Sequence, residues 1–230
     1  MTVIEVREST PEDLLGPLNE VERKNAPARL FTAGDVSLLR RGPRVSVVGS
    51  RNATSDALRR TKVLARSLVE RGMIVVSGLA VGIDSVAHET ALEIGGHTVA
   101  VLGTSLDEFF PPQNRALQER LMRDELVVSQ FPPGAPIQPK NFPMRNRTMA
   151  LLSDATIIVE AAEKSGTVHQ GWEALRLGRL LFILENLAAK PGLSWPTEML
   201  RYGAQVLSRE NLELALEEMP EIPRGELAPL

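Results

Sequence analysis

The sequence predicts an α/β fold, a mostly parallel sheet with helices on both faces. Three observations carry that expectation. Short apolar runs rich in valine and isoleucine recur along the 230 residues, and each is apolar at odd and even positions alike, as strands covered on two faces require. Stretches with helical spacing separate the runs, and this alternation is the mark of parallel strands joined by crossover helices. Glycine, hydroxyl and basic residues follow the runs, at the strand tips where open α/β sheets bind ligands.

Residues 1–40 are mixed, and Pro11, Pro17 and Pro27 break any long helix there, so they read as an arm or small packed extension. The main domain is expected over 41–218. Its strands are Val45 to Val48, Ile74 to Val76, Thr98 to Leu102, Leu126 to Val128, Thr156 to Val159 and Leu180 to Leu184. Leu58, Leu64, Leu68 and Val69 mark the helix after the first strand, and Arg71-Gly72 reads as its charged last turn and glycine stop. The residues from 219 to 230 are proline-rich and read as a flexible tail.

Composition narrows the function. With 43% hydrophobic residues the chain has material for one substantial core. The net charge of -3 supplies no overall basic field, so any contact with nucleic acid must come from a local patch. The absence of cysteine excludes disulfides, thiolate metal sites and cysteine nucleophiles, and fits a cytoplasmic location. No signal run and no membrane span is visible.

The chemistry gathers at the strand tips. Gly49-Ser50-Arg51 stands where a dinucleotide enzyme would carry G-x-G-x-x-G, yet the later glycines are missing. The glycine and serine still let backbone approach a phosphate, and Arg51 adds a guanidinium fork; the alternative is an exposed arginine on a turn. At the second tip, Gly78 and Gly82 permit tight backbone paths, Asp84 is placed to accept bonds from loop amides, and His88 reads as a packed or loop-bonding histidine without a partnered nucleophile. The stretch "FPPGAPIQPKNFPMRNRT" delivers Lys140, Phe142, Arg145, Asn146 and Arg147 within eight residues. Basic groups interleaved with an aromatic suit a phosphate backbone with a stacked base. The residues alone leave two alternatives open: Phe142 in the core, and one arginine capping a carboxylate such as Glu160. Being two apart, Arg145 and Arg147 diverge. Ser165-Gly166-Thr167 opens a further helix and offers another anion-friendly terminus. Trp172 and Trp195 read as packing residues.

In order along the chain, "VVGSR", "SGLAVGIDSVAH", "LGTSLDEFFPPQN", "SQFPPG", "FPMRNR" and "IVEAAEKSGT" resemble the DprA (Smf) family of DNA-processing proteins, over roughly residues 40 to 210. The resemblance implies a Rossmann-like domain, a homodimer, and single-stranded DNA held at the strand ends by Arg51, Lys140, Arg145 and Arg147, with Phe142 stacking. It also implies a mediator that protects incoming strands and loads a RecA-type recombinase, in natural transformation or another recombination process, with no cofactor and no metal. Typical members continue S-G-S-L-I-T-A where this chain reads "SGTVHQG", and the loop after the next strand is shorter here. Neither a full N-terminal helical domain before Arg40 nor a C-terminal winged-helix domain after Leu216 is expected to fit. A sensor of a nucleotide-derived ligand is the alternative. A nucleotide phosphoribohydrolase is a weaker rival, because Gln170 stands where that family's catalytic glutamate would be, and a neutral amide is no general acid or base.

Overall fold

A computed structural model describes residues 5–219. Among the described residues nine strands form one sheet: β1 (Arg7–Ser9), β2 (Leu30–Gly34), β3 (Arg44–Gly49), β4 (Ile74–Ser77), β5 (Thr98–Leu102), β6 (Leu126–Ser129), β7 (Ala155–Glu160), β8 (Leu180–Leu184) and β9 (Gln205–Leu207). Their order across the sheet is β1-β2-β6-β5-β4-β3-β7-β8-β9. Pairing is parallel from β6 through to β9, and antiparallel only where β2 meets β6 and β1 meets β2. The expected α/β fold, Rossmann-like and mostly parallel, is what the structure shows.

The helices are α1 (Pro11–Leu15), α2 (Glu20–Asn25), α3 (Ser55–Glu70), α4 (Ile83–Glu93), α5 (Arg115–Asp124), α6 (Asn141–Leu152), α7 (Gly166–Arg176), α8 (Glu185–Ala188), α9 (Trp195–Arg201) and α10 (Leu212–Glu217). The alternation of side chains along a strand sorts them to two faces. Val48, Val76, Val101 and Ile158 look toward α6, α7 and α9, whereas Val47, Val75, Ile157 and Phe182 look toward α3, α4 and α10. A third cluster packs Ala100, Leu102 and Val127 with Phe31 and Ala33 against Leu121 and Met122 of α5. Both parities are buried, which is why the runs carry no polar alternation.

The amino-terminal segment is built into this body. Phe31 to Gly34 pair with Ser129 to Leu126, and Leu14, Leu15, Leu18, Leu30, Leu38 and Leu39 belong to the same cluster as Val76 and Val101. An antiparallel strand added to a parallel sheet comes from a non-local pairing that periodicity does not reveal. Met219 packs at the edge of the α3 cluster, and the rest of the expected tail, 220–230, lies outside the described residues.

From β3 the chain builds outward through β4, β5 and β6 on one side, then returns to place β7 and β8 on the other. The order of winding reverses between β3 and β7, so the loops after these two strands part and leave a crevice at the carboxyl edge. At the opposite end the same strands are locked by a buried ion pair. The Arg44 guanidinium donates to both oxygens of Asp154, with Nη2 to Oδ1 at 2.8 Å and Nε to Oδ2 at 3.0 Å, and Nη1 donates to the Leu39 carbonyl.

Candidate nucleic-acid interface

A cavity of about 420 Å³ fills the crevice. Four segments line it: Val48 to Asn52 at the end of β3 and in the turn that follows, Ala80 and Asp84 around the start of α4, Phe142, Pro143, Arg145, Asn146 and Met149 on α6, and Ala162, Ser165, Gly166, Thr167 and Gln170 around the start of α7. Hydrogen bonds hold these segments together. Thr167 Oγ1 donates to the Gly49 carbonyl at 3.2 Å, and Asn146 Nδ2 donates to the Gly166 carbonyl at 2.9 Å. The Gly49-Ser50-Arg51 turn is held from within by Asn52 N–H on Ser50 Oγ at 3.1 Å. Its far end is tied to β7, because Glu160 accepts from the Thr54 hydroxyl at 2.7 Å while Thr54 caps α3.

The loop after β4 comes close beneath that turn. Gly82 has φ +87°, and a Cβ there would stand 2.5 Å from the Ser50 carbonyl oxygen, so both conformation and space demand glycine. Leu79, fully buried at φ 57°, is a strained residue in the same loop. Asn114 offsets the strain by donating to the Leu79 carbonyl and to Ser85 Oγ, both at 2.8 Å. Asp84 accepts from Ala80 N–H at 3.3 Å, and its burial pushes the carboxyl up, with the nearby Arg145 charge acting in the opposite direction. His88 stands apart from the cavity, fully buried with Nδ1 2.6 Å from Thr98 Oγ1, and burial pulls it down to about 3. So weakly basic an imidazole, outside the cavity lining, is poorly suited to act as a general base in the crevice.

Arg145 is 6% exposed and lies flat in the space a side chain at Gly78 would occupy. Its Nη1 donates to the Val101 carbonyl at 2.8 Å and its Nε to Asn146 Oδ1 at 3.1 Å. Burial lowers its guanidinium from the usual range, and Asp84 opposes that change. Arg51, by contrast, is exposed, and its guanidinium carbon sits 5.5 Å from the centre of the Phe142 ring. Phe142 in turn lies 5.6 Å from Phe110, tilted by 47°, and fits because residue 103 is glycine: a Cβ there would meet Phe142 Cδ1 at 2.6 Å. Arg51, Phe142 and Phe110 thus form a cationic and aromatic rim, with Arg145 in the wall below.

The structure brings together Gly49, Ser50, Arg51, Phe142, Arg145, Asn146, Ser165, Gly166 and Thr167 around one cavity, with Gly78 in an adjoining recess of about 80 Å³. It does not bring Lys140 or Arg147 to the lining. Lys140 is exposed at the residue before α6, and Arg147 turns to Glu173 on α7, at 3.4 Å. The carboxylate that engages an arginine of this segment is therefore Glu173, and Glu160 serves the Thr54 cap. Phe142 is half-buried at the rim, outside the three core clusters. The sequence does not distinguish Phe110, 38% exposed beside Phe142, from Phe109 as a residue covering this edge, and it gives no sign of the anchoring Asn114. Trp195 is buried, and Trp172 meets Tyr202 edge to face at 5.4 Å, so both tryptophans pack. Among the described residues no cluster of histidine, aspartate and glutamate is arranged to hold a metal, and no helix is long and apolar enough to cross a membrane.

Comparison with known proteins gives the same direction. The model of the DNA recombination-mediator protein A family matches residues 8–219. DNA processing protein DprA of Bacillus subtilis is 33% identical over 196 residues, 85% of this chain and 65% of that protein. Protein Smf of a Synechocystis strain is 39% identical over 185 residues, 80% of this chain and 46% of that protein. The chain thus spans about half to two thirds of the length of these curated relatives. Among solved structures, DprA from Streptococcus pneumoniae superposes with a TM-score of 0.78 at 31% identity, covering 95% of this chain and 76% of that one. DprA from Helicobacter pylori, whose structure describes a single-stranded DNA binding mode, gives 0.74 at 28% identity, covering 92% and 94%. The match reaches back to residue 8, consistent with an amino-terminal segment woven into the sheet. This chain belongs to the DNA recombination-mediator protein A family, the DprA and Smf proteins.

Proposed function

We propose that the chain binds single-stranded DNA across the rim of the crevice, without base-pair readout and without bond chemistry. The observation that carries this reading is the stack of Arg51, Phe142 and Phe110 above a cavity walled by Arg145. A guanidinium on an aromatic face offers a phosphate contact and a stacking platform side by side, which is the combination that tracks a single strand. The Helicobacter pylori relative, solved in connection with its single-stranded DNA binding mode, supports single-stranded DNA as the ligand class. An acidic chain can do this because the two cations are local while the net charge of -3 is spread over the body.

Catalysis has little to work with in the crevice. Asp84 is committed to the loop amide of Ala80 and faces Arg145, His88 bonds Thr98 away from the cavity, and residue 170 is an amide. We therefore read the protein as a mediator that shields incoming strands and passes them to a RecA-type recombinase, acting as a homodimer in the cytoplasm. Lys140, exposed beside α6, would add a peripheral phosphate contact, while Arg147 would contribute only by leaving Glu173.

The test is a length series of single- and double-stranded oligonucleotides against mononucleotides at two salt concentrations. A strand binder gains affinity with length and loses it steeply with salt, and Arg51→Ala lowers the salt slope by about 0.7 for each phosphate that the arginine neutralises. Saturation by a mononucleotide with no gain from length would replace this reading with a nucleotide sensor.

A further inference from the structure

A second groove lies away from the crevice and shares no lining residue with it. It is bounded by α3, the carboxyl ends of β8 and β9, and the start of α10, and its volume is about 430 Å³. The floor is aliphatic. Leu64 and Leu207 are buried there, Leu184 and Leu212 are half-buried, and Val63 is 56% exposed. The rim is cationic, with Arg59, Arg60 and Arg209 set against Glu185, the one carboxylate among the lining residues. Arg59 and Arg60 share a single partner, Asp56, so one anion serves two guanidiniums. Arg209 makes no ion pair among the described residues, nor do Lys62 and Arg66, exposed on the same helix. These five cations outnumber Asp56, Glu185 and Glu210 around them. The turn that carries Arg209 is fixed by its own side chains: Ser208 Oγ accepts from the Glu210 N–H at 3.2 Å, Asn211 Oδ1 accepts from the Ser208 N–H at 2.8 Å, and Asn211 Nδ2 donates to the Val206 carbonyl at 2.9 Å. A turn already ordered loses little freedom when a ligand arrives.

We propose that this groove docks a short acidic segment of a partner protein. Aliphatic side chains of the segment sit on Val63, Leu184, Leu207 and Leu212, and flanking carboxylates meet Arg59, Arg60 and Arg209. The site does not depend on the strand-binding reading above. An exposed apolar floor rimmed by charge is the usual mark of a protein-binding surface, and a guanidinium fork matches a carboxylate with two parallel bonds. The volume falls within the range of about 300–1,000 Å³ that suits small ligands and anchoring side chains. A nucleic acid strand fits less well, because none of the lining residues is aromatic and a base would find no ring to stack on. A second copy of the chain meeting this one through the same face would set arginine against arginine.

The experiment follows methyl resonances of the full chain during titration with a short peptide that alternates aspartate with leucine. Parallel titrations use the same peptide with lysine for aspartate, the same peptide with alanine for leucine, and a thymidylate oligomer. The aspartate and leucine peptide is expected to move the methyls of Val63, Leu184, Leu207 and Leu212 and to bind at least about tenfold tighter than either control peptide. Arg60→Glu combined with Arg209→Glu is expected to weaken it at least about tenfold and to make the lysine and leucine peptide the tighter ligand. Both positions are exposed, and Arg209→Glu alone serves if the pair does not fold. Equal binding of the alanine peptide overturns the proposal, since the aliphatic floor would then be idle. So does failure of the parent chain to bind the aspartate and leucine peptide, or binding that leaves these methyls unmoved. An oligomer that moves the same methyls at lower concentration would make the groove a path for DNA, and shifts that follow protein concentration without peptide would make it a contact between copies; either result replaces the acidic segment as the occupant.

Discussion

Replacing Gly78 by alanine tests whether Arg145 is held where the crevice needs it. The new Cβ would stand 1.7 Å from Arg145 Nη1 and 2.4 Å from Cζ, distances no real contact tolerates. The glycine backbone itself is not in a region closed to alanine, so any effect must pass through the guanidinium. That group is 6% exposed and cannot swing into water without leaving the Val101 carbonyl, 2.8 Å away. A hydrogen bond made by a charged group contributes about 1.5–3 kcal/mol, so Gly78→Ala should destabilise the fold by about 2 kcal/mol and weaken oligonucleotide binding about tenfold. Urea denaturation and anisotropy measure the two effects. The decisive measurement is the cycle with Arg145→Ala, because in that background the added methyl enters vacated space and should cost under about 0.5 kcal/mol. Additive losses in the double variant would refute the idea that Gly78 exists to seat Arg145.

Phe142→Ala should weaken single-stranded DNA by about 1–3 kcal/mol while leaving the urea midpoint nearly unchanged, since the ring sits on the rim; binding equal to the parent would remove base stacking from Phe142. His88 is neutral when folded because burial pulls it down to about 3, so its contribution to stability is complete above the unfolded value of 6.5 and is lost as the pH falls below it. From pH 7 to pH 5 the loss is about 2 kcal/mol, and the difference between the parent and His88→Gln in urea titrations isolates it from the carboxylates; parallel pH profiles would contradict the assignment. Asp154→Ala leaves the Arg44 charge in the interior without its carboxylate and should cost about 3–5 kcal/mol, read as a lower urea midpoint, with a change under about 1 kcal/mol showing that the pair does not lock β3 to β7.

Most of the sheet was legible because strands covered on both faces leave continuous apolar runs, and Thr98 to Leu102 and Leu180 to Leu184 match their strands residue for residue. β1, β2 and β9 were not, since β1 and β9 are short edge strands and all three are defined by pairings that local periodicity does not carry: Thr32 opposite Val128, or Val206 beside Ile183. The same limit governs the crevice. Gly49-Ser50-Arg51 and Ser165-Gly166-Thr167 announced themselves as small residues at strand tips, and the basic and aromatic content of 140–147 was plain to read. Which arginine turns inward was not, because it depends on Gly78 leaving room for Arg145 and on α7 presenting Glu173 to Arg147. Phe110 joins Phe142 only through the fold, and nothing local separates it from Phe109, which stacks under Arg115 at 4.5 Å instead. Gln170 was visible as a departure at its position, yet the isolation of its amide is a property of the packed interior alone.

The bond from Thr167 to Gly49 spans 118 positions of chain, and the Glu160 anchor of Thr54 spans 106. The crevice therefore needs both segments at once: its corners are joined by contacts between β3 and β7, distant in sequence, of the kind that slows folding. A polyanion seated there would act as a clasp across the first and second halves of the molecule, and resistance to global unfolding would rise with the logarithm of its concentration.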